Sequence, residues 1–210
     1  MKTAMIWGAS GGIGQALVAR LLQDDWTVLA VTHHPTRLAG FTPHLFDANV
    51  ADPYEVQLTL NAASQVVTEI DLWVYTAGDI SAAKTAEMSP DTWRRLIEAN
   101  LTGAFLTTHY SLPLLAETAH LFYLGAISER LALPRLGAYA AAKAGLEAFV
   151  EALGKEERRR RVTLVRPGAV DTPFWERVPL KLPANALSPQ TVAQQILEAY
   201  QQQHQGRLDL

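Results

Sequence analysis

Short apolar runs alternate with helical stretches along the whole chain, and this alternation restricts its fold more than any other feature. Lys2 to Trp7, Thr27 to Thr32 (TVLAVT), Leu45 with Phe46, Asp71 to Tyr75 (DLWVY), His120 to Leu124 and Val162 to Val165 read as strands. Between them lie the amphipathic stretch Ile13 to Gln23, the segment DPYEVQLTLNAAS, a long helical pattern from Asp91 to about Ala116, and a helix from Gly137 to about Glu157. Ser188 as N-cap with Pro189 at the first helical position opens a last helix, and the chain stops at QGRLDL soon after what reads as a seventh strand. The strands are continuous apolar runs without polar alternation, the pattern of a sheet covered on both faces. Strand and helix taken in turn imply parallel pairing through crossover helices.

The first strand and first helix are joined by GASGGIG, residues 8–14. Glycines in that place let the backbone turn sharply and approach a pyrophosphate at the helix N-terminus. The spacing fits GxxxGxG through Gly8, Gly12 and Gly14, and also GxxGxxG through Gly8, Gly11 and Gly14. A tight strand–helix turn without ligand is the plainer alternative. The fold class expected is α/β, a single-domain Rossmann-type doubly wound parallel sheet of about seven strands with helices on both faces. One domain spans residues 1–210, with a short substrate loop at 172–187 where Pro173, Pro179 and Pro183 cluster. That loop follows a strand's carboxyl end, where ligands bind in such sheets. No repeat, low-complexity tract or linker interrupts the chain.

Bulk properties narrow the function. A chain of 210 residues with 49% apolar content belongs to the globular class, and it buries about 70% of its unfolded surface. A formal net charge of −3 leaves no footprint for nucleic acid or an anionic membrane, so neither is an expected partner. The absence of cysteine excludes disulfides, thiol catalysis and thiolate metal sites. The apolar run at the N-terminus is too brief for a signal peptide, and no uncharged apolar stretch reaches bilayer length, so the cytoplasm is the expected location. His33 and His34 are adjacent and project differently, with no acidic or histidine cluster beside them; no metal site is expected. The run KEERRRR, residues 155–161, reads as a solvated turn whose cations suit a helix C-terminus.

One helix raises a chemical question. In LGAYAAAKAGLEAFVEAL, Tyr139 and Lys143 lie four apart on one face of an otherwise apolar helix. A phenol titrates near 10, too high for efficient proton transfer at neutral pH, and a neighbouring ammonium favours the phenolate. Burial opposes the lysine charge, so Lys143 needs hydroxyl or water partners. An amphipathic Tyr and a snorkelling Lys at a helix edge would give the same pattern without chemistry.

Here the chain resembles the short-chain dehydrogenase/reductase family over nearly all of its length. Tyr139-Ala-Ala-Ala-Lys143 with Ala-Gly-Leu after it matches that family's YxxxK helix, and the glycine loop, Ala77-Gly78, Asn100 and Arg166-Pro167-Gly168-Ala-Val-Asp-Thr172 fall in the family's order. The resemblance implies an oxidoreductase that moves hydride between NAD(P)(H) and a small carbonyl or alcohol substrate. It makes Tyr139 the acid/base, gives Lys143 the nicotinamide ribose, and has Asn100 anchor a water beside that lysine. It also places Gly8, Ser10, Gly12, Ile13, Gly14, Asn49, Val50, Ala77, Gly78, Pro167, Gly168, Val170 and Thr172 against the cofactor. A homodimer or homotetramer is implied as well, through the Asn100 helix and the YxxxK helix.

The chain also departs from that pattern. The family's serine lies thirteen residues before the tyrosine, where this chain has Ala126 in LGAISER. Alanine cannot donate a hydrogen bond, and such a loss commonly costs about 10²–10³ in rate. Ser128 stands about 6–7 Å further on if the chain stays extended there. Three readings stay open: Ser128 replaces the missing donor, Tyr139 works alone, or the chain is a non-catalytic dinucleotide-binding sensor or interaction protein. Tyr75-Thr76 stands where the family has two asparagines, Asn49 where it has an aspartate toward adenine, and Trp7 where it has a threonine. The second strand ends VTHHPTRL with no acid before Asp47. His33 and Arg37 could therefore meet a 2′-phosphate, and NADP(H) is expected over NAD(H). Phe174 and Trp175 could line the substrate pocket or pack on the sheet.

Overall fold

The computed structural model describes residues 2–210 apart from Ala39, Phe41, Pro43 and Pro179, with the backbone alone for Arg37. Seven parallel strands form one sheet in the order β3-β2-β1-β4-β5-β6-β7. They are β1 Thr3–Trp7, β2 Thr27–Thr32, β3 Leu45–Asp47, β4 Ile70–Tyr75, β5 Leu115–Leu124, β6 Arg161–Arg166 and β7 Gly206–Asp209. The order reverses between β1 and β4, and the crevice outside the strand ends at that switch point is where this architecture binds ligands.

Each strand is apolar on both sides because both sides are covered. Met5, Trp7, Leu29 and Val31 face α2 (Pro53–Ala63), α4 (Gly103–Ser111) and α5 (Gly137–Glu156). Ala4, Ile6, Val28 and Ala30 face α1 (Gly12–Gln23) and α6 (Pro189–Gln201). The starts of α2 and α6 follow their caps. Asp52 accepts from the Tyr54 and Glu55 amides at 2.8 and 3.3 Å ahead of Pro53, and Ser188 accepts from Thr191 N at 3.0 Å ahead of Pro189.

The long helix expected from Asp91 to about Ala116 is broken into pieces. Helix α3 (Pro90–Ile97) leads into a π-helical turn at Glu98–Thr102 before α4, and a 3-10 turn at Leu112–Leu114 contains Pro113. Proline cannot continue the hydrogen-bond ladder, and β5 starts at Leu115, five residues before the expected His120. Arg160 holds this junction, donating to the carbonyls of Leu112, Leu115 and Ala116 at 3.1–3.2 Å. One arginine of the charged run is thus a structural clamp rather than part of a solvated turn. No helix among the described residues is long and apolar enough to cross a membrane.

Candidate active site

The glycine turn is shaped by three different neighbours. Gly8 has φ +82°, a left-handed conformation, and a Cβ there would run into the backbone of Ala77. At Gly14 a Cβ would lie 2.5 Å from the Gly8 carbonyl oxygen, so these two positions admit only glycine. Gly12 touches the loop beyond β6: its Cβ would sit 2.6 Å from the Thr172 methyl group. Gly11 is under no such pressure, its nearest atom being 3.4 Å away. Gly11 caps α1 with no side-chain hydrogen bond, and no acid stands in the first turn. The turn therefore offers backbone N–H groups and the positive helix end, which suit a pyrophosphate. Ile13 is buried beneath it against the sheet.

The other residues expected to hold a cofactor sit around the same strand ends. Ser10 accepts the Thr32 hydroxyl at 2.5 Å, and Thr32 in turn accepts His34 N at 2.9 Å, tying the glycine turn to the end of β2. His33 and His34 are both exposed there; the side chain of Arg37 lies outside the described residues. The Asn49 amide oxygen accepts from Ala51 N at 3.0 Å within its own turn, and its second lone pair is left for a ligand. Val50 packs beside Gly103, which must lack a side chain to admit it. Beyond β6, the Gly168 amide donates to Leu210 O at 3.1 Å after Pro167, and Val170 bridges to Leu187 to close the base of the loop.

Tyr75 and Thr76, the two departures at the end of β4, each have a structural use. The Tyr75 hydroxyl donates to Ala99 O at 2.8 Å, inside the π-helical turn. Thr76 donates to Trp7 O and Gly8 O at 2.9 and 3.1 Å. One pins the turn that carries Asn100; the other pins the start of the glycine loop.

Asn100 is wholly buried, its amide nitrogen donating to Asp79 O and Leu96 O at 2.7 and 2.9 Å. Its amide oxygen has no partner among the described residues. A Cβ built on Gly78 would lie 2.8 Å from that oxygen and 3.8 Å from Lys143 Nζ, so both polar groups face one small space beside Gly78. Lys143 donates to Leu124 O at 2.9 Å, and its Nζ lies 5.7 Å from the centroid of the Tyr139 ring. Burial pushes the Lys143 ammonium down to about 8 and pushes the Tyr139 phenol up. The lowering of the phenol expected from its neighbour does not appear, because desolvation of the ring outweighs an ammonium that points to the β5 carbonyl. An unpaired buried amide oxygen beside a lysine is what a bound hydroxyl or water would satisfy, and with the glycine turn it fits a ribose-bearing dinucleotide.

Ser128 is not on extended chain. Residues Ser128–Arg130 form a 3-10 turn, and the Ser128 hydroxyl donates to Glu147 Oε2 at 2.7 Å. Glu147, one turn beyond Lys143 on the same face of α5, also meets Arg166 at 3.3 Å and Arg207 at 2.9 Å. Arg166 is buried and makes a two-pronged pair with Asp209 at 2.7 and 2.8 Å, which fastens β7 to β6. Sequence reading missed Glu147, although the spacing Tyr139, Lys143, Glu147 was available to show it. Phe174 sits with its ring 5.8 Å from that of Tyr139, in an apolar cluster with Ile80, Leu136 and Val178.

The short chain dehydrogenase family model matches residues 2–183. The chain belongs to that family. As a member of it, the protein is an oxidoreductase. An uncharacterized oxidoreductase of Staphylococcus epidermidis is 29% identical over 185 residues, covering 83% of this chain and 80% of the relative. Among solved structures, a 3-ketoacyl-(acyl-carrier-protein) reductase of Brucella melitensis complexed with NADH superposes with a TM-score of 0.89 at 19% identity, covering 100% of this chain and 96% of that one. A Shigella flexneri protein described as a short chain dehydrogenase, complexed with NADP, gives 0.90 at 20% identity, covering 99% and 96%. At such identities the two structures attest the fold.

Proposed function

We propose that this family member reduces a carbonyl compound, or oxidises the matching alcohol, with NADP(H) preferred over NAD(H). The observation that carries the reading is the buried group of Tyr139, Lys143 and the unpartnered Asn100 amide oxygen around Gly78. Gly8, Gly11, Gly12, Gly14 and Ser10 would hold the coenzyme phosphates, Asn49 and Val50 its adenine, and Ala77, Gly78, Pro167, Gly168, Val170 and Thr172 its nicotinamide half. When bound, the coenzyme supplies or accepts the hydride. Tyr139 gives its hydroxyl proton to the substrate oxygen in reduction and takes it back in oxidation. A phenol held protonated by burial is ready for the first of these. Lys143 stays mostly charged at neutral pH even after its downward shift, and that charge stabilises the phenolate left behind. The absence of an acid before Asp47 and the exposed histidines at the end of β2 support the 2′-phosphate preference.

Tyr139 acts without a serine partner in this reading. Ala126 supplies no donor, and the Ser128 hydroxyl is engaged by Glu147. The same two facts favour a second reading, a dinucleotide-binding protein without turnover. A screen of NADPH and NADH oxidation against ketones, aldehydes and quinones, run beside Tyr139→Phe, separates the two. Turnover that Tyr139→Phe abolishes supports the enzyme; coenzyme binding without oxidation across the panel supports the binder.

A further inference from the structure

An open surface pocket of about 470 Å³ lies beside the apolar cluster that contains Tyr139. Ile80, Ala82 and Val178 form part of its wall, and the same three pack in the apolar cluster that contains Tyr139. Its other wall is cationic, with Arg95, Arg135 and Arg177. Arg95 and Arg177 both pair with Asp79, whose carboxylate is nearly buried and also accepts from Ile80 N at 2.9 Å. Two guanidiniums on one carboxylate leave a charge over, and Arg135 adds another. Glu176 is the one further acid among the described lining residues, so a single positive charge remains in excess.

The Arg135 carbonyl accepts from Ala83 N at 3.0 Å, but the residue's side chain has no hydrogen-bond partner among the described residues. Its side chain is exposed and meets no acid within ion-pair distance among the described residues. Its backbone has φ +73°, a left-handed conformation that favours glycine. The chain thus keeps a strained arginine four residues before Tyr139 where glycine would sit more easily. Strain held at a pocket rim points to function. Arg177 lies 5.8 Å over the Phe174 ring, and Phe174 lies 5.8 Å from Tyr139, so a path of apolar contact joins the cationic rim to the phenol.

We propose that the substrate is an oxo acid: its carboxylate pairs with Arg135 and Arg177 at the rim, and its carbonyl lies along the apolar wall at Tyr139. This rests on the oxidoreductase reading above and adds the class of substrate to it. One excess positive charge matches a carboxylate and leaves a phosphomonoester, with nearly two negative charges, under-neutralised. The guanidinium fork suits a planar carboxylate in a way that an ammonium does not.

The test uses the whole protein with 4-oxobutanoate, 4-oxopentanoate and 5-oxohexanoate, each beside its methyl ester. Kinetics with NADPH and NADH are read together with direct calorimetric binding of acid and ester. The acids are expected to be the better substrates, with KM rising with added KCl. Arg135→Gly relieves the backbone, so its melting temperature should equal or exceed that of the parent. In that variant the acid-over-ester ratio of kcat/KM should fall at least about tenfold, through KM rather than kcat, with partial recovery in Arg135→Lys. Esters reduced as well as acids by the parent, or a ratio unmoved in Arg135→Gly, overturns the proposal while leaving the oxidoreductase reading intact. If neither series is reduced, that reading fails for these carbonyls and calorimetry decides this one. Acid binding that Arg135→Gly abolishes upholds the anion site, and no binding of any acid sinks it.

Discussion

Consider Lys143→Met, which keeps an unbranched side chain of similar helix propensity and removes the charge. Burial pushes the ammonium from its ordinary 10.5 down to about 8, while the unfolded chain keeps the ordinary value. Below 8 the lysine is charged in both states, and the folded protein carries the full desolvation cost. At about 1.4 kcal/mol per pH unit of difference, that cost is about 3 kcal/mol at pH 7. Between 8 and 10.5 the unfolded chain binds the proton and the folded one does not, so wild-type stability rises with pH through that window. Against the gain from removing the charge stands the lost hydrogen bond to Leu124 O, at 2.9 Å, worth about 1 kcal/mol. The variant should therefore be about 2 kcal/mol more stable than the parent at pH 7, or about 4–8 °C in melting temperature. By pH 9.5 the advantage should be gone, because the parent will have recovered about 2 kcal/mol. Urea denaturation at the two pH values reads this directly, and NADPH oxidation should be lost in the same variant. A Met variant less stable than the parent by a constant amount from pH 7 to 9.5 refutes the reasoning, since it would mean that Lys143 is neither desolvated nor poised as described.

Gly14→Ala, whose Cβ would sit 2.5 Å from the Gly8 carbonyl oxygen, should cost about 1–3 kcal/mol in denaturant titration. Gly11→Ala, with its nearest atom at 3.4 Å, should change stability by under about 1 kcal/mol, yet weaken NADPH binding measured by fluorescence. Ser128→Ala leaves one Glu147 oxygen without its donor and should lower stability by about 1 kcal/mol while turnover survives. A drop of about 10²–10³ in kcat would instead make Ser128 the missing oxyanion donor. Phe105 is 48% exposed on α4 with Phe149 edge-on at 6.3 Å, and it would lie in the contact if copies of the chain associate through α4 and α5. Phe105→Glu should shift the mass measured by light scattering toward the monomer.

The sheet, its helices and most element ends could be read from apolar period and caps, because Asp52, Ser188 and the prolines after them act locally. Pro113 marks the end of the long helix in the sequence, but the π-helical turn within it could not be read. That turn is pinned by Tyr75 reaching Ala99 O from another strand, and the start of β5 by Arg160 reaching three carbonyls some 45 residues away, contacts that leave no local trace. Tyr139 and Lys143 were visible from their spacing on an apolar helix. Arg135 was not, since what marks it is a backbone angle and a side chain without an ion-pair partner among the described residues. Asp79, too, gains its meaning only when Arg95 and Arg177 converge on it from two loops.

The face of α5 shows how three polar groups one turn apart divide the work. Tyr139 faces the apolar cluster that contains Phe174, so its ring is desolvated and its proton retained. Lys143 faces the small space at Gly78 that it shares with the orphan Asn100 oxygen. Glu147 faces away from that space, holding Ser128 on one oxygen and Arg166 and Arg207 on the other. The loss of a serine at Ala126 and the capture of Ser128 are thus linked. The carboxylate that draws Ser128 into its 3-10 turn belongs to the same network that fastens β7. Freeing the hydroxyl for substrate would require giving up a hydrogen bond in a nearly buried ion cluster. A Glu147→Gln variant weakens that hold while keeping the shape. If Ser128 has a latent catalytic use, this variant should turn over faster than the parent, and it should lose that gain when Ser128→Ala is added.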